Sequence, residues 1–397
     1  MTRLKRRLLI VAGVVALICI GLVLFFYRPT RLALERAEAF QFRRMLVTRQ
    51  ADQDAYRFFY VTNRQINDIS APIEERFTNQ RGETLHFGLF DTTIEPTLGL
   101  GMLINPTDWF QNEEIQLQQV RTLDQHEFVD QLRQQIQASQ LGSLLINING
   151  FRERFPSALR KTAFLCHVLD IDSPIMVFDW PGDQGSTPRR YLRAQRVATD
   201  SGAELARTLE LIIGDIKPDR LWLLANSMGA QVVVHAFSKL FENAELADAE
   251  IEIDHVVLTA PDVDKAEFNN QFKHEIAAMA KNLTVYVSSN DRALLMSRVI
   301  NRGRRLGQST LNPRNPDQIE EAARLFDLME PNDSLVTLVD VTPVNRTRNF
   351  HNFSLETPQF FDELYLKLVN DNKPRSRPMY RIETPSGRAY WILTPGR

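Results

Sequence analysis

The sequence has few of the residues that define disulfide-stapled or fibrous proteins. Only two cysteines, Cys19 and Cys166, occur among 397 residues, so neither a disulfide scaffold nor a multi-cysteine zinc site can be built. Glycine and proline are also modest, at 17 and 19 residues, which excludes collagen-like and low-complexity chains. With 44% hydrophobic and 24% charged residues, the composition is typical of a globular protein of one or two domains.

The net charge is small but unevenly distributed. It is −2 overall, yet residues 1–50 contain 10 Lys and Arg against 2 Asp and Glu, a local charge of +8. The remaining 347 residues therefore carry −10. Because the basic part is a short head and not a broad basic surface, we expect no nucleic-acid partner.

Residues 8–27 form 20 consecutive uncharged and mostly apolar positions. A helix of this length rises about 30 Å, which matches the hydrocarbon core of a bilayer. A cleaved signal peptide would have a shorter apolar region that ends at small residues, whereas this run continues into Phe25, Phe26 and Tyr27. Bulky Ile18 before Cys19 also argues against a lipoprotein anchor. We therefore predict a single uncleaved transmembrane helix within a basic N-terminal segment, residues 1–27.

Basic residues flank this run on both sides. The cluster before it, Arg3, Lys5, Arg6 and Arg7, is denser and contains no acid, which favours a cytoplasmic N-terminus and a body on the extracytoplasmic side. Residues 28–50 are predicted to form a basic juxtamembrane stalk, with an amphipathic helix on anionic headgroups as the alternative. The globular body is expected at residues 51–370, and a C-terminal tail at 371–397.

From residue 56 onward, short apolar runs alternate with longer amphipathic stretches. This alternation is typical of an α/β fold in which helices cover both faces of a mostly parallel sheet. The runs are rich in Val, Leu and Ile, as buried parallel strands are. About eight strands are predicted, at residues 56–62, 85–92, 143–149, 175–179, 221–225, 256–260, 283–289 and 335–341. Helices are predicted at residues 125–138, 157–169, 188–215 and 360–368.

Two segments depart from this alternation. Residues 293–331, between the last two predicted strands, form a helical and charge-rich insertion. Its length suits a lid or cap, and a packed excursion with no role is the alternative. The tail contains two alternating runs around Pro385-Ser386-Gly387, which predicts a β-hairpin.

The most informative stretch is a buried-type strand that breaks at Asn226-Ser227-Met228-Gly229 and resumes as a helix pattern. A serine on such a turn is typical of a nucleophile elbow, where the residues two before and two after the serine must be small. Ala225 and Gly229 meet this need, although glycine is more usual at the first position. A helix predicted to start at Ser227 would aim its free N–H groups at developing negative charge. An ordinary turn serine is the alternative, and it leaves the location between strand and helix unexplained.

A nucleophilic serine needs a base, which in this arrangement follows the last strand. Of seven histidines, only His351 lies there, and we predict it as the base; otherwise a lone loop histidine is an exposed or capping residue. The orienting acid should follow an earlier strand. Asp291, directly after strand 283–289, is the first candidate, and Asp262 and Asp264 after the preceding strand are competitors. Each could instead cap a helix, Asp264 most clearly.

Acyl transfer also needs backbone N–H groups that stabilise the oxyanion of the tetrahedral intermediate. We expect one donor at Met228, immediately after the serine. The second is expected at Phe151, in the loop after strand 143–149, where Gly150 allows the backbone to come close. A glycine that simply ends a strand is the alternative explanation for Gly150.

At this point the residues resemble an α/β-hydrolase family described as hydrolases of unknown function and related to esterases and lipases. The similarity runs through much of the body. It is carried by Tyr60-Val61-Thr62-Asn63-Arg64, Asn149-Gly150-Phe151, Phe178-Asp179-Trp180-Pro181 with Gly185 and Tyr191, Asn226-Ser227-Met228-Gly229, Ala260-Pro261-Asp262-Val263-Asp264, and Ser288-Ser289-Asn290-Asp291-Arg292-Ala293-Leu294. The resemblance implies the α/β-hydrolase fold and a triad of Ser227, Asp291 and His351.

The chain departs from the family pattern at two places. Family members usually carry His-Gly at Asn149-Gly150 and His-Ser-Met-Gly at Asn226-Ser227-Met228-Gly229. Neither position is the nucleophile, base or acid, but the hydrogen bonding beside the serine is altered.

The main hypothesis is therefore a membrane-anchored serine hydrolase that cleaves carboxylic esters of small molecules or lipids through an acyl-enzyme. The alternative is a weak or inactive hydrolase-fold protein that acts as a membrane-tethered binding or scaffold module, and the two asparagine departures motivate it. A metal hydrolase is disfavoured because no two histidines have ligand spacing. We expect neither a metal nor a cofactor.

Overall fold

The structure is a computed structural model that describes residues 11–21, 55–94, 115–242, 253–308, 336–347, 350–369, 379–383 and 389–394. A single sheet of eleven strands runs through the described body. Its strands are β1 (Tyr56–Ile66), β2 (Phe77–Ile94), β3 (Ile115–Leu123), β4 (Ser143–Ile148), β5 (Ile175–Asp179), β6 (Arg220–Asn226), β7 (His255–Thr259), β8 (Leu283–Val287), β9 (Val336–Asp340), β10 (Met379–Glu383) and β11 (Ala389–Leu393).

Helices connect these strands and cover both faces of the sheet. They are α1 (Gln125–Ala138), α2 (Phe155–Leu169), α3 (Pro188–Leu211), α4 (Gly229–Glu242), α5 (Lys265–Glu267), α6 (Lys273–Ala277), α7 (Arg292–Asn301), α8 (Phe353–Glu356) and α9 (Pro358–Val369). Two π-helical turns, Ile212–Ile216 and Phe268–Phe272, extend α3 and join α5 to α6.

The strand order is β10-β11-β9-β8-β7-β6-β4-β5-β1-β2-β3. Every pairing from β11 through β1 is parallel, whereas β10 with β11, β1 with β2, and β2 with β3 are antiparallel. The middle of the sheet is therefore parallel. Because parallel strands all end at the same edge, the loops after β4, β6, β7, β8 and β9 gather on one side of the molecule.

The central strands are buried because both of their faces pack against helices. β4 (SLLINI) and β7 (HVVLT) are buried along their whole length. On one face, side chains from α1, α3 and α4, including Phe128, Leu205 and Phe237, form one apolar cluster. On the other face, Phe164 of α2 and Phe360 of α9 belong to a second cluster. This continuous burial accounts for the Val, Leu and Ile runs seen in the sequence.

The prediction of about eight strands was wrong in number. The sheet contains three strands beyond these eight: β3, which was not predicted, and the antiparallel pair β10 and β11, which lies where the tail hairpin was predicted. β3 lies at the edge, and its sequence IQLQQVRTL is exposed at about half of its positions. An edge strand buries little apolar area. The polar residues of β3 therefore interrupt the apolar pattern by which a strand is predicted. β2 is also longer than the predicted 85–92, because its first half, Phe77–Glu83, is partly exposed and polar.

Helix positions agree closely with the sequence pattern. α1 has the predicted bounds, and α9 extends the predicted helix 360–368 by a residue or two at each end. The predicted helix 188–215 changes into a π-helical turn after Leu211. The predicted insertion begins inside α7, where Leu294 and Ser297 are buried, and its residues 309–331 lie outside the described part of the chain.

The predicted transmembrane helix overlaps the described residues only in part. Residues 11–21 are helical and exposed. Residues 8–10 and 22–27, and the predicted stalk at 28–50, lie outside the described ranges. Within the described part of the chain, no helix has both the length and the apolar character required to cross a bilayer.

At Gly88, β2 packs against the side chain of Tyr60 in the neighbouring strand β1. The Tyr60 ring crosses over this glycine, and its hydroxyl lies 3.3 Å from the carbonyl oxygen of Arg121 and 3.2 Å from Oγ1 of Thr122, both in β3. A Cβ atom at position 88 would lie 2.3 Å from the Tyr60 ring and from the Arg121 carbonyl oxygen. The first three strands can therefore approach one another only because residue 88 has no side chain.

We predict that Gly88→Ala lowers the free energy of unfolding by about 1–3 kcal/mol, because the added methyl group forces Tyr60 or β3 to move. Urea denaturation followed by circular dichroism measures this change. Gly214→Ala is the matched control, since a Cβ there meets nothing within 4 Å, and its stability should stay within about 0.5 kcal/mol of wild type or rise slightly. Equal losses in the two variants would contradict the packing argument.

Candidate active site

Ser227 lies in the turn between β6 and α4, and its backbone is left-handed with φ 52°. The turn is tight because α4 folds back across the end of β4. A Cβ at Gly229 would lie 2.6 Å from the carbonyl oxygens of Ile148 and Asn149. Ala225, two residues before the serine, is fully buried. Small residues at both positions are thus a steric requirement of this crossing.

The helix after the serine begins at Gly229 and not at Ser227 as predicted. Ser227 and Met228 form the turn itself, because the left-handed backbone at residue 227 interrupts helical geometry. The carbonyl oxygen of Ser227 accepts a hydrogen bond from the N–H of Ala230 at 3.1 Å. The serine therefore still lies at the N-terminal end of α4, where the helix dipole favours negative charge.

His351 and Asp291 lie in neighbouring loops and are hydrogen-bonded. Nδ1 of His351 lies 2.7 Å from Oδ2 of Asp291. The carboxylate is fully buried, and the imidazole is 13% exposed. The other carboxylate oxygen of Asp291 accepts a hydrogen bond from the N–H of Leu294 at the start of α7, which fixes its orientation. With Nδ1 engaged by the acid, Nε2 is the basic nitrogen of the ring.

The loop that carries His351 is attached to the turn that carries Ser227. Nδ2 of Asn226 donates to Oγ of Ser354 at 3.0 Å and to Oγ1 of Thr259 at 3.1 Å. The side chain of Asn226, the residue before the serine, is therefore hydrogen-bonded both to α8 and to the end of β7. This contact brings the two loops to the same place at the carboxyl edge of the sheet.

The neighbouring carboxylate stabilises the charged form of the His351 imidazole relative to its neutral form. Burial lowers the pKa of His351, but the charge and hydrogen bond of Asp291 outweigh burial, so the pKa is raised above its ordinary value. Burial is also the largest influence on Asp291 and raises the pKa of its carboxyl. An imidazole that gains a proton beside a fixed carboxylate suits a general base.

The two competing aspartates have other partners. Asp264 caps α5 and accepts hydrogen bonds from the N–H groups of Ala266 and Glu267, as the capping alternative anticipated. Asp262 is buried and contacts the side chains of Tyr191, Ser297 and Arg305. Of the three predicted acids, Asp291 alone is hydrogen-bonded to His351 within the described residues.

The loop after β4 contacts the serine turn directly. A Cβ at Gly150 would lie 3.1 Å from Cβ of Ser227 and from Oδ1 of Asn226. The close approach of the Gly150 backbone to the serine therefore explains why this residue is a glycine. The alternative explanation, a glycine that simply ends a strand, does not account for this contact. The Phe151 ring packs edge-on against the ring of Tyr191, with 5.6 Å between ring centroids. The predicted oxyanion donor Phe151 thus follows a residue in contact with Ser227.

Left-handed backbone conformations concentrate around this site. Seven non-glycine residues of the described chain have positive φ. Three of them, Asp170, Lys217 and Arg302, are C-caps of helices or of a π-helical turn, where this conformation is common. The other four are Arg152, Ser227, Ala260 and Phe350, which lie beside Phe151, in the elbow, after β7 and before His351. Strain of this kind is typical of functional sites.

A buried arginine holds the surrounding loops in place. The Arg64 side chain is 1% exposed and donates to Asp179 at 2.7 Å, to Asp183 at 2.6 Å and to the carbonyl oxygen of Glu153 at 2.7 Å. A further bond of 3.0 Å reaches the carbonyl oxygen of Trp180. The guanidinium of β1 therefore ties together the loops after β4 and β5.

The two asparagines that depart from the family pattern are both used structurally. The side chain of Asn149 is buried and bonds Asn147 and the carbonyl oxygen of Ala158. Its own carbonyl oxygen accepts a bond of 2.8 Å from Nε1 of Trp180. Asn226 makes the contacts to Thr259 and Ser354 given above. The altered positions thus support the loops around the serine.

The described residues offer no group of three or more His, Cys, Asp or Glu side chains that could hold a metal ion. A cavity of about 450 Å³ lies along α3 and α4. Ser227, Asp291 and His351 are absent from its lining, which contains both acidic and basic side chains. We do not assign this cavity to the candidate site.

Sequence reasoning missed the supporting residues of the site. Arg64 and Tyr191 appeared only within family motifs, and Ser297, Arg305 and Ser354 were not noted. Their contacts join residues that are far apart in the chain, so no local spacing could reveal them. The strong sequence signal came from the elbow, where a steric rule acts over five consecutive residues.

The family described as "Alpha/beta hydrolase of unknown function (DUF900)" matches residues 124–364, more than half of the chain. The matched region extends from the residue that caps α1 to α9 and includes every predicted site residue. No curated protein matches the chain.

Several solved structures are similar to the chain at a low level. Esterase B from Lactobacillus rhamnosis is 12% identical with a TM-score of 0.32, covering 58% of this chain and 78% of that one. The esterase Pf2001 from Pyrococcus furiosus is 13% identical with a TM-score of 0.31, covering 57% and 81%. The phospholipase PlaB from Legionella pneumophila is 11% identical with a TM-score of 0.27, covering 64% and 68%.

We predict that Asp291→Asn lowers the titration midpoint of His351 by about one pH unit or more, because the variant loses the charge that raises the histidine pKa. NMR titration of protein labelled with ¹⁵N-histidine measures the midpoint, and His351→Gln assigns the resonance. The raised pKa also stabilises the fold below the ordinary histidine pKa, so the stability difference between wild type and variant should shrink as pH rises through the folded-state pKa.

Asp264→Asn is the control for this titration, since Asp264 caps a helix. It should leave the His351 midpoint unchanged. A midpoint in Asp291→Asn equal to that of wild type would show that the carboxylate does not set the state of the imidazole.

Proposed function

Because the chain belongs to the alpha/beta hydrolase family of unknown function (DUF900), we propose that it is a serine hydrolase that cleaves carboxylic esters through an acyl-enzyme on Ser227. The observation that carries the proposal is the left-handed serine turn at the N-terminal end of α4, joined through Asn226 and Ser354 to the loop in which His351 bonds Asp291. Small-molecule or lipid esters are the proposed substrates.

In the proposed reaction, Oγ of Ser227 attacks the ester carbonyl carbon while Nε2 of His351 takes the hydroxyl proton. Asp291 holds the ring through Nδ1 and stabilises the imidazolium. The N–H groups of Met228 and Phe151 stabilise the oxyanion. The tetrahedral intermediate then expels the alcohol, which receives the proton from His351. Water, deprotonated by the same nitrogen, then attacks the acyl-enzyme. The second tetrahedral intermediate breaks its bond to Oγ and releases the acid, and Nε2 returns the proton to Oγ of Ser227.

We also propose that residues 8–27 anchor the protein in a membrane, with a cytoplasmic N-terminus and the catalytic body on the extracytoplasmic side. The support is the length of the uncharged run and the denser basic cluster before it. An anchor of this kind would keep the site close to lipid esters.

Ser227→Ala should reduce hydrolysis of a short aryl ester by a factor on the order of 10⁶, because the variant lacks the oxygen that forms the acyl-enzyme. It should also abolish labelling by a fluorophosphonate probe. The measurements are initial rates with p-nitrophenyl acetate and mass spectrometry of the labelled peptide.

Ser238→Ala is the matched control, because Ser238 is a similarly buried serine in α4, away from the turn. It should retain both hydrolysis and labelling. If well-folded wild type resists the probe and hydrolyses no ester, the enzyme assignment fails, and the alternative, a tethered binding or scaffold module, is favoured.

Deletion of residues 1–27 should move the protein from the membrane fraction to the soluble fraction, because the proposed anchor is removed. Carbonate extraction followed by immunoblotting measures this distribution. In sealed spheroplasts, added protease should degrade the body if it lies on the extracytoplasmic side. Extraction of the full-length chain by carbonate would contradict an integral anchor, and a protected body would contradict the orientation.

A further inference from the structure

We propose that Asp262, together with Tyr191, is a positioning unit of this active site: the aspartate holds the serine turn and, through the tyrosine, the loop that carries Phe151. This inference rests on the proposed function. It assigns to the competing aspartate a role other than that of the triad acid.

The carboxylate of Asp262 lies at the centre of a buried polar cluster. Oδ2 accepts a hydrogen bond of 2.5 Å from the hydroxyl of Tyr191, and Oδ1 accepts one of 2.5 Å from Ser297. Nε of Arg305 lies 3.2 Å from the same Oδ1 and bonds Oγ of Ser297 at 2.9 Å. Asp262 and Arg305 are each 4% exposed. A carboxylate this deeply buried is stable only because all of these partners are present.

The backbone of the same residue holds the serine turn. The N–H of Asp262 donates to the carbonyl oxygen of Ser227 at 3.0 Å. Its carbonyl oxygen accepts a hydrogen bond of 2.7 Å from Nε2 of Gln231 in α4. The loop after β7 is therefore hydrogen-bonded both to Ser227 in the serine turn and to Gln231 in the helix that follows it.

Tyr191 carries this connection to the other side of the site. Its hydroxyl bonds Asp262, and its ring packs edge-on against Phe151. The position of the Phe151 backbone therefore depends on where the aspartate holds the tyrosine. Burial and the neighbouring carboxylate raise the pKa of the Tyr191 hydroxyl, so it remains a hydrogen-bond donor at all working pH values.

Asp262 also contributes to the charge around His351. Three charged groups act on this imidazole: Asp291 after β8, Asp262 after β7, and Lys161 of α2. Both carboxylates raise the histidine pKa, and Lys161 lowers it. A substitution that removes the Asp262 charge should therefore change the pH at which the base becomes active, whereas a purely structural residue would leave that pH unchanged.

The first test is the pH profile of Asp262→Asn. We expect kcat/KM to fall by about 10–100-fold, the effect of losing hydrogen bonds to a charged group. We also expect its acid limb to move to lower pH, because His351 loses a neighbouring negative charge. Asp264→Asn, two residues along the chain, is the matched control and should keep the wild-type rate and profile.

The second test is Tyr191→Phe, which keeps the ring against Phe151 and removes only the hydroxyl. We expect kcat to fall by about 10-fold with little change in KM, and the acid limb to stay at the wild-type pH because no charge is lost. This variant keeps the inference testable if the uncompensated Arg305 prevents Asp262→Asn from folding.

The outcomes separate this inference from the proposed function. If the fluorophosphonate probe does not label wild type at Ser227, the proposed function fails, and there is no activity whose pH profile could be compared between variants. If wild type is labelled and both variants keep wild-type kinetics and profiles, the positioning unit is refuted while the hydrolase stands. A lower rate of Asp262→Asn with an unshifted acid limb would refute the charge contribution, and an unchanged kcat in Tyr191→Phe would refute the connection through Phe151.

Discussion

A single buried guanidinium fixes the geometry on which the candidate site depends. Arg64 leaves β1 and donates to two carboxylates and to backbone carbonyl groups of two loops. Burying a charge is costly unless every donor is satisfied, and the planar fork of arginine is the side chain that can reach so many acceptors at once. A lysine would present one point charge and leave several acceptors unpaired. Because one of these loops contains Gly150 and Phe151, a residue of β1 on the far side of β5 sets the position of the backbone proposed to stabilise the oxyanion.

The site itself is a consequence of strands ending at one edge. β6, β7, β8 and β9 lie side by side and parallel, so the residues that follow them are neighbours although they are separated by dozens of positions. Each loop then contributes one element: the serine turn, Asp262, Asp291 and His351. The left-handed residues Ser227, Ala260 and Phe350 mark where three of these loops turn sharply away from their strands. The candidate site is thus built from loops, and the parallel sheet gives those loops a rigid common base.

The features that could be predicted from the sequence are those that follow from local apolar periodicity or from a steric rule. The bounds of α1 and the buried strands β4 and β5 follow from apolar spacing, and the serine turn follows from the small residues around Ser227. β3 could not be recognised in this way, because glutamines occupy much of its exposed face. The bond between Tyr191 and Asp262 also left no trace, since it joins residues 71 positions apart. Order along the chain predicted that Asp291 and His351 lie in adjacent loops, whereas only the three-dimensional structure distinguishes the surroundings of Asp262 from those of Asp264.

The left-handed turn also restricts which residues can replace the proposed nucleophile at position 227. A φ of 52° brings Cβ close to the backbone, and a second heavy atom on that carbon makes the conformation a severe outlier. Threonine, which carries the same hydroxyl, is therefore a poor replacement even though its reactivity is similar. Cysteine keeps an unbranched Cβ and fits the same backbone. The backbone at position 227 therefore accommodates serine or cysteine, whereas it excludes threonine because of the shape of the main chain and not because of threonine's chemistry.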